Sequence, residues 1–180
     1  MKKISNFIFT KLLGWKVENL LPDIPKCIIA VAPHTSNCDF IISKLAYSAL
    51  GRKAQFLMKK EWFIFPIGYI FKAMGGIPVT RSKHTSMTDT LAAEFSKHDR
   101  LQIAVTPEGT RKRVTEWKRG FYYIALKAGV PIVLVGLDYK KKAAIFLDTF
   151  FPTGDADADM AKIKSYFVGI TGKHPKLFSV

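Results

Sequence analysis

The chain has 180 residues and carries 28 Lys and Arg against 14 Asp and Glu, a formal net charge of +14. A domain of this size ordinarily has a net charge of about 2–8 in magnitude, so the excess points to an anionic partner. Apolar residues at 48% exclude wholesale disorder, and two cysteines exclude a disulfide scaffold and suit a reducing compartment.

Lys2 and Lys3 look like the start of a signal peptide, but Lys11 and Lys16 interrupt the apolar part and no small-x-small cleavage site follows. Instead Ile4, Phe7, Ile8, Leu12 and Trp15 recur at helical spacing, with Lys2, Lys3, Asn6 and Lys11 largely off that stripe. Residues 1–20 therefore read as an amphipathic helix with two uses open. It lies in a membrane interface with its basic side toward anionic headgroups, or it packs on its own domain.

Residues 27–32 form a continuous apolar run, as expected of a strand buried on both faces. Thr35 or Ser36 caps a predicted helix carrying Phe40, Ile41, Leu45, Ala46, Ala49 and Leu50, with Gly51 as its stop. Residues 54–58 read as a second strand, 63–74 as short broken helix ended by Gly75 and Gly76, and 77–80 as a third strand. The uncharged stretch at 62–71 contains Pro66 and Gly68 and is well short of the roughly 20 apolar residues a spanning helix needs. A helix over 86–98 and a strand over 101–106 follow, then a helix over 121–127 ended by Gly129. Strands at 131–139 and 143–147 flank a Lys-rich turn, and 157–171 reads as the last helix. This alternation predicts one α/β domain over residues 21–180. Its central sheet is mostly parallel and flanked by helices, with an antiparallel pairing open for the final two strands.

In open α/β sheets ligands bind beyond the carboxyl ends of the strands. His34 and Asp39 follow the first strand, Arg81 the third, and Glu108, Gly109, Thr110 and Arg111 the fourth. If those strands are parallel neighbours, a base pair sits beside an anion clamp. Imidazole suits proton transfer near neutral pH, and a carboxylate on one ring nitrogen fixes its tautomer. Arg81 and Arg111 have the planar forks that suit phosphate, and Gly109 lets backbone approach an anion closely. Singly, each has a plainer reading: Asp39 as a helix-start acid, the arginines as surface ion pairs. Their convergence on one edge favours the functional reading.

His34-x4-Asp39, Gly76-Ile77-Pro78-Val79-x-Arg81, Glu108-Gly109-Thr110-Arg111 and Val130-Pro131-Ile132-Val133 resemble the four ordered blocks of the glycerophospholipid acyltransferases. The resemblance runs from about residue 27 to 137 and is to a compact subgroup without an N-terminal membrane hairpin. Cys38 stands where that subgroup often has Trp. The resemblance implies a glycerolipid acyltransferase-like fold and an O-acyltransferase of the 1-acylglycerol-3-phosphate type, working in phospholipid biosynthesis. His34, oriented by Asp39, would deprotonate an acceptor hydroxyl that attacks an acyl thioester. Arg81, Glu108, Gly109, Thr110 and Arg111 would hold the acceptor phosphate. The donor would be acyl-CoA or acyl carrier protein, the acceptor a lysophospholipid, and no metal or bound cofactor is required. Oxyanion donors are expected among backbone N–H groups near the helix after His34. The chain is expected peripherally on the cytoplasmic face of an anionic membrane.

Two rivals remain open. Cys38, four residues after His34, suggests a Cys–His nucleophile pair, which leaves Asp39 and the arginines unexplained. The charge, with Tyr122 and Tyr123 for stacking, suggests a nucleic-acid-binding module, but no recognised motif supports it and no nucleic acid is expected. Asp155, Asp157 and Asp159 begin like a calcium loop, yet Met160 and Tyr166 occupy its required Gly and Glu positions, so they read as helix-start acids.

Overall fold

The computed structural model describes residues 2–19, 22–79 and 84–180. From the amino end come α1 (Lys2–Asn6), a π-helical segment (Phe7–Leu12) and β1 (Lys16–Glu18). There follow β2 (Lys26–Ala32), α2 (Cys38–Ala49), β3 (Gln55–Lys59), a 3₁₀ turn (Lys60–Trp62), α3 (Ile67–Ala73) and β4 (Gly76–Val79). The second half holds α4 (His84–Lys97), β5 (Leu101–Val105), α5 (Gly120–Ala128), β6 (Ile132–Asp138), β7 (Ala143–Phe150), α6 (Ala156–Ser165) and a 3₁₀ turn (Pro175–Leu177).

One seven-stranded sheet runs in the order β1-β7-β6-β2-β5-β3-β4. Every neighbouring pair is parallel except β6 with β7, which is antiparallel as the short Lys-rich turn allows. β2 lies between β5 and β6 and is covered on both faces. Its residues alternate, so Ile28, Ala30 and Ala32 join one core with Phe95, Ile103, Phe121 and Phe167. Cys27, Ile29 and Val31 join the other, with Phe9, Trp15, Ile42 and Ala46. Burial at both faces is why this strand reads as an unbroken apolar run. Helix α2 buries Ile42, Ala46 and Ala49, one stripe at helical spacing, and Ile42 and Ala46 join that second core.

Three boundaries differ from expectation for physical reasons. The amino-terminal helix leaves α-geometry at Phe7, and the wider π turns rotate later side chains off the 3.6-residue period. Phe9, outside the predicted stripe, is buried, and Trp15, inside it, belongs to the core rather than to an outer face. Ile4, Phe7 and Leu12 do face outward. Residues 16–18 are strand rather than helix, paired with β7, a partner more than 120 residues away that local spacing cannot reveal. Helix α6 stops at Ser165 instead of running to 171, and the chain then turns through Gly169 at φ +85°, a left-handed conformation that favours glycine. Its start agrees with the acidic reading: Asp155 caps it, accepting the N–H groups of Asp157 and Ala158. Asp159 is instead buried, holding the hydroxyls of Tyr122 and Thr153.

Among the described residues no helix is long and apolar enough to cross a membrane.

Candidate active site

β2, β5 and β6 are parallel neighbours, so the segments after them emerge on one edge of the sheet. The loop 33–37 leaves β2 and turns into α2, with Asp39 in the helix's first turn. Asp39 is only 2% exposed, and three donors close on its carboxylate. Oδ2 accepts the N–H groups of Thr35 at 2.7 Å and Ser36 at 2.8 Å, and Oδ1 accepts the Tyr139 hydroxyl at 2.5 Å. His34 Nδ1 stands 3.3 Å from the same Oδ2, at ion-pair distance but without hydrogen-bond alignment. Catalytic bonds are often loose without substrate and tighten on binding. Burial pulls the Asp39 pKa up, but His34, Tyr139 and the Ser36 and Thr35 N–H groups outweigh it and hold the carboxyl below its ordinary range.

Glu108, after β5, is also 2% exposed, and its Oε1 accepts the His34 main-chain N–H at 2.5 Å. Burial pushes its pKa up to about 7, opposed by His34 and reinforced by the nearby Asp39 charge. The carboxyl thus grips the backbone of the histidine. Gly109 takes φ +66°, which turns the loop sharply, and a Cβ there would lie 3.1 Å from Lys118 Cγ. Thr110 accepts the Lys112 N–H, and the Arg111 guanidinium donates to Asn37 Oδ1 beside the start of α2.

His34, Asp39 and Glu108 therefore meet directly, and Arg111 reaches the same helix start. Arg81 lies outside the described residues. β4, whose last residue is Val79, is parallel to the others but not a neighbour of β2; β5 and β3 stand between them. The expectation that the three strands adjoin holds for β2 and β5 alone.

The oxyanion expectation meets a difficulty. The N–H of His34 goes to Glu108, those of Thr35 and Ser36 to Asp39, and that of Cys38 to Ser36 Oγ at 3.2 Å. These four are already engaged within the protein.

Two contributors were not anticipated. Tyr139 follows β6 at the same edge, one residue past the strand's end at Asp138 although its apolar context predicts strand there, and the rule that singles out His34 also covers it. Its ring meets Trp15 edge-on at 4.9 Å. The second is the segment after α6. Thr171 O accepts the Tyr139 N–H at 2.8 Å, and the His174 N–H reaches Thr35 Oγ1 at 3.2 Å. Lys173 Nζ lies 2.9 Å from Cys38 Sγ and, with Ser36, lowers that thiol's pKa. Lys173, rather than His34, is thus the cysteine's partner. A Cβ on the buried Gly172 would stand 3.0 Å from Pro33 Cβ and 3.1 Å from Thr35. No local pattern announces this segment.

The other rival loses a part as well: Tyr122 is fully buried and cannot stack on a base.

A buried carboxylate beside a histidine, at the carboxyl edge of a parallel sheet, is a constellation suited to general-base group transfer. A family model described as Acyltransferase matches residues 16–138, and the chain belongs to that family. It is 31% identical over 132 residues to the 1-acyl-sn-glycerol-3-phosphate acyltransferase of Haemophilus influenzae, covering 69% of this chain and 54% of that protein. A chloroplastic 1-acyl-sn-glycerol-3-phosphate acyltransferase of Brassica napus is 31% identical over 140 residues, 74% of this chain and 39% of its own length. The Escherichia coli enzyme of the same name is 29% identical over 136 residues, 69% and 53%. The chain spans about half the length of the bacterial relatives it matches. The crystal structure of the 1-acyl-sn-glycerophosphate acyltransferase PlsC from Thermotoga maritima shares the fold, with a TM-score of 0.58 at 19% identity, covering 91% of this chain and 75% of that one.

Proposed function

We propose that this chain transfers a fatty acyl group from an acyl thioester to the hydroxyl of a lysophospholipid or glycerol phosphate-type acceptor, as a step of phospholipid biosynthesis. The observation that carries the proposal is the buried Asp39 carboxylate, fixed by three donors and set 3.3 Å from His34 Nδ1. With Nδ1 directed at Asp39, Nε2 is the nitrogen that takes the acceptor's proton. The acceptor oxygen attacks the thioester carbonyl, and the tetrahedral intermediate expels the thiolate, which recovers the proton from His34. Asp39 stabilises the imidazolium between these steps. Glu108 holds the His34 backbone in place. Arg111 and Arg81, with Gly109 and Thr110, hold the acceptor phosphate. Acyl-CoA or acyl carrier protein serves as donor, no metal or bound cofactor takes part, and the acceptor reaches the site from the cytoplasmic face of an anionic membrane.

The test incubates the purified full chain with lysophosphatidate and each donor, following thiol release and the mass of the lipid product. Diacylated product with one or both donors, lost in His34→Ala, is the expected result. No product with either donor, or undiminished turnover in folded His34→Ala, overturns the proposal. A second reading is favoured by the Lys173-lowered thiol: covalent catalysis through Cys38. A stable acyl adduct on Cys38, seen by intact mass with donor alone, would support it.

A further inference from the structure

The largest group of exposed apolar side chains among the described residues belongs to one short stretch. Trp62, Ile64, Phe65, Ile67, Tyr69 and Ile70 are 55%, 62%, 84%, 44%, 68% and 58% exposed. Folding has not left them out by accident, because the same stretch has a well-made inner face. Gly68 is buried, and a Cβ on it would come within 2.6–2.9 Å of the Phe63 backbone, so only glycine lets α3 lie this close. Phe63 and Phe71 meet edge-on at 6.2 Å on the inside, while the Gly68 N–H bonds Ile64 O. Among the outer residues Phe65 and Tyr69 meet edge-on at 6.1 Å, and all six still present apolar surface outward on a preformed wedge. Exposed apolar area of this size on a folded domain marks an interaction surface.

We infer that this wedge is where the protein docks on an anionic bilayer. Three features choose that occupant. The wedge starts directly after β3, a strand parallel to β5, so it leaves the sheet by the edge that carries His34 and Glu108. Trp and Tyr beside bulky aliphatics are the side chains that settle at a headgroup boundary. Its flanks are basic in sequence: Lys59 and Lys60 lead into it and Lys72 follows it, against the single acid Glu61. Two copies meeting wedge to wedge would oppose these cations, whereas anionic headgroups neutralise them. The outward Ile4, Phe7 and Leu12 are a weaker candidate. Lys2 packs at Gly51, just past the end of α2, roughly 18 Å along the helix from its start beside the catalytic loop. The inference rests on the lipid-acceptor reading above and names the surface that brings such an acceptor to the site.

The test uses the full chain and vesicles of equal parts phosphatidylglycerol and phosphatidylcholine. Trp15 and Trp117 are buried, so Trp62 is the indole whose emission reports on the wedge. On vesicles its emission should shift to the blue and be quenched by acyl-chain brominated lipid, and Trp62→Phe should remove both effects. Phe65→Glu with Ile70→Glu, both exposed and harmless to the core, should weaken co-sedimentation by about ten- to a hundredfold. Ile4→Ser with Phe7→Ser and Leu12→Ser should change it less than threefold, roughly. Full binding by the wedge variant, or loss confined to the amino-terminal variant, overturns the inference. So does a wild-type dimer that ignores vesicles and dissociates in the wedge variant. Turnover of a short-chain, monomeric lysophosphatidate should survive in the wedge variant. If that turnover is absent from the wild type while vesicle binding follows the wedge, the acyl-transfer reading fails and the docking surface stands.

Discussion

The Tyr139 hydroxyl donates to Oδ1 of Asp39 at 2.5 Å, tying the end of β6 to the first turn of α2 across 100 residues of sequence. With Thr35 and Ser36 on Oδ2, this bond leaves the carboxylate a single orientation, the one that faces His34. Tyr139→Phe should leave Oδ1 buried and short of a donor, costing about 1–3 kcal/mol of stability. Because Tyr139 is one of the groups that lower the Asp39 pKa, its loss should raise that pKa. The acid limb of the stability–pH profile should then move to higher pH. A melting loss without that movement would make Tyr139 structural only.

His34 and Asp39 should separate in their effects on folding. His34→Ala should lower turnover by about 10²–10⁴ with little change in melting, since the ring makes no aligned hydrogen bond. Asp39→Asn should cost comparable activity and also destabilise by about 1–2 kcal/mol: its oxygen can keep the Thr35 and Ser36 N–H groups and its NH₂ can donate to the Tyr139 hydroxyl, but a neutral acceptor replaces a charged one. The wild-type contribution has a definite sign. A depressed carboxyl pKa stabilises the fold above the unfolded value near 3.8, and that stabilisation is lost as pH falls through the native value. Melting curves of both variants against pH measure it.

Glu108 should act in the opposite sense. Its pKa rises from 4.5 to about 7, so between those values the native state holds a proton that the unfolded chain releases. Stability should fall as pH rises across that window, by at most about 3 kcal/mol. Glu108→Gln keeps an acceptor for the His34 N–H and should flatten the slope. An unchanged slope would mean that burial does not raise this group.

Arg111→Ala should lower kcat/KM for the acceptor by about ten- to a hundredfold, the effect of one charge-assisted bond to a partly desolvated phosphate. Arg111→Lys should recover only part of it, since a point charge cannot reproduce the fork that also engages Asn37. Equal losses for phosphate-free acceptors would contradict the assignment.

Gly172→Ala should reduce kcat by about three- to tenfold with KM little changed, because the added methyl must move Pro33 or Thr35 by a few tenths of an ångström. The glycine has no positive φ, so the effect is steric and backbone strain does not enter. Thr35→Ser removes one of the three crowded atoms, Cγ2, and keeps the hydroxyl that the His174 N–H needs; in the double variant it should restore part of the rate.

Features governed by near neighbours in sequence were legible before the fold was known. The apolar run of β2, the left-handed Gly129 that ends α5 and the Asp155 cap each follow from a few adjacent residues. His34, Asp39 and Glu108 were legible because each follows a recognisable strand. What Asp39 needs beyond His34 was not, because Tyr139 reaches it only through the sheet order β6-β2. The packing of Gly172 on Thr35 was hidden for the same reason, since 137 positions part the two residues. Helical spacing groups Trp15 with Ile4, Phe7 and Leu12, but Trp15 lies past the helical segment's end at Leu12, after the left-handed Gly14, so the helical period does not govern where it faces.

β1 precedes the other described strands in the sequence, yet among the described residues its sheet neighbour is β7, at residues 143–150. Emerging from a ribosome, the strand finds its partner only when more than 120 further residues have followed it. Trp15, one residue before β1, meets Tyr139 only in that late stretch as well. β1 is thus held in reserve while the strands between fold, and the side of the active site nearest Trp15 is completed by joining two stretches made more than 120 residues apart.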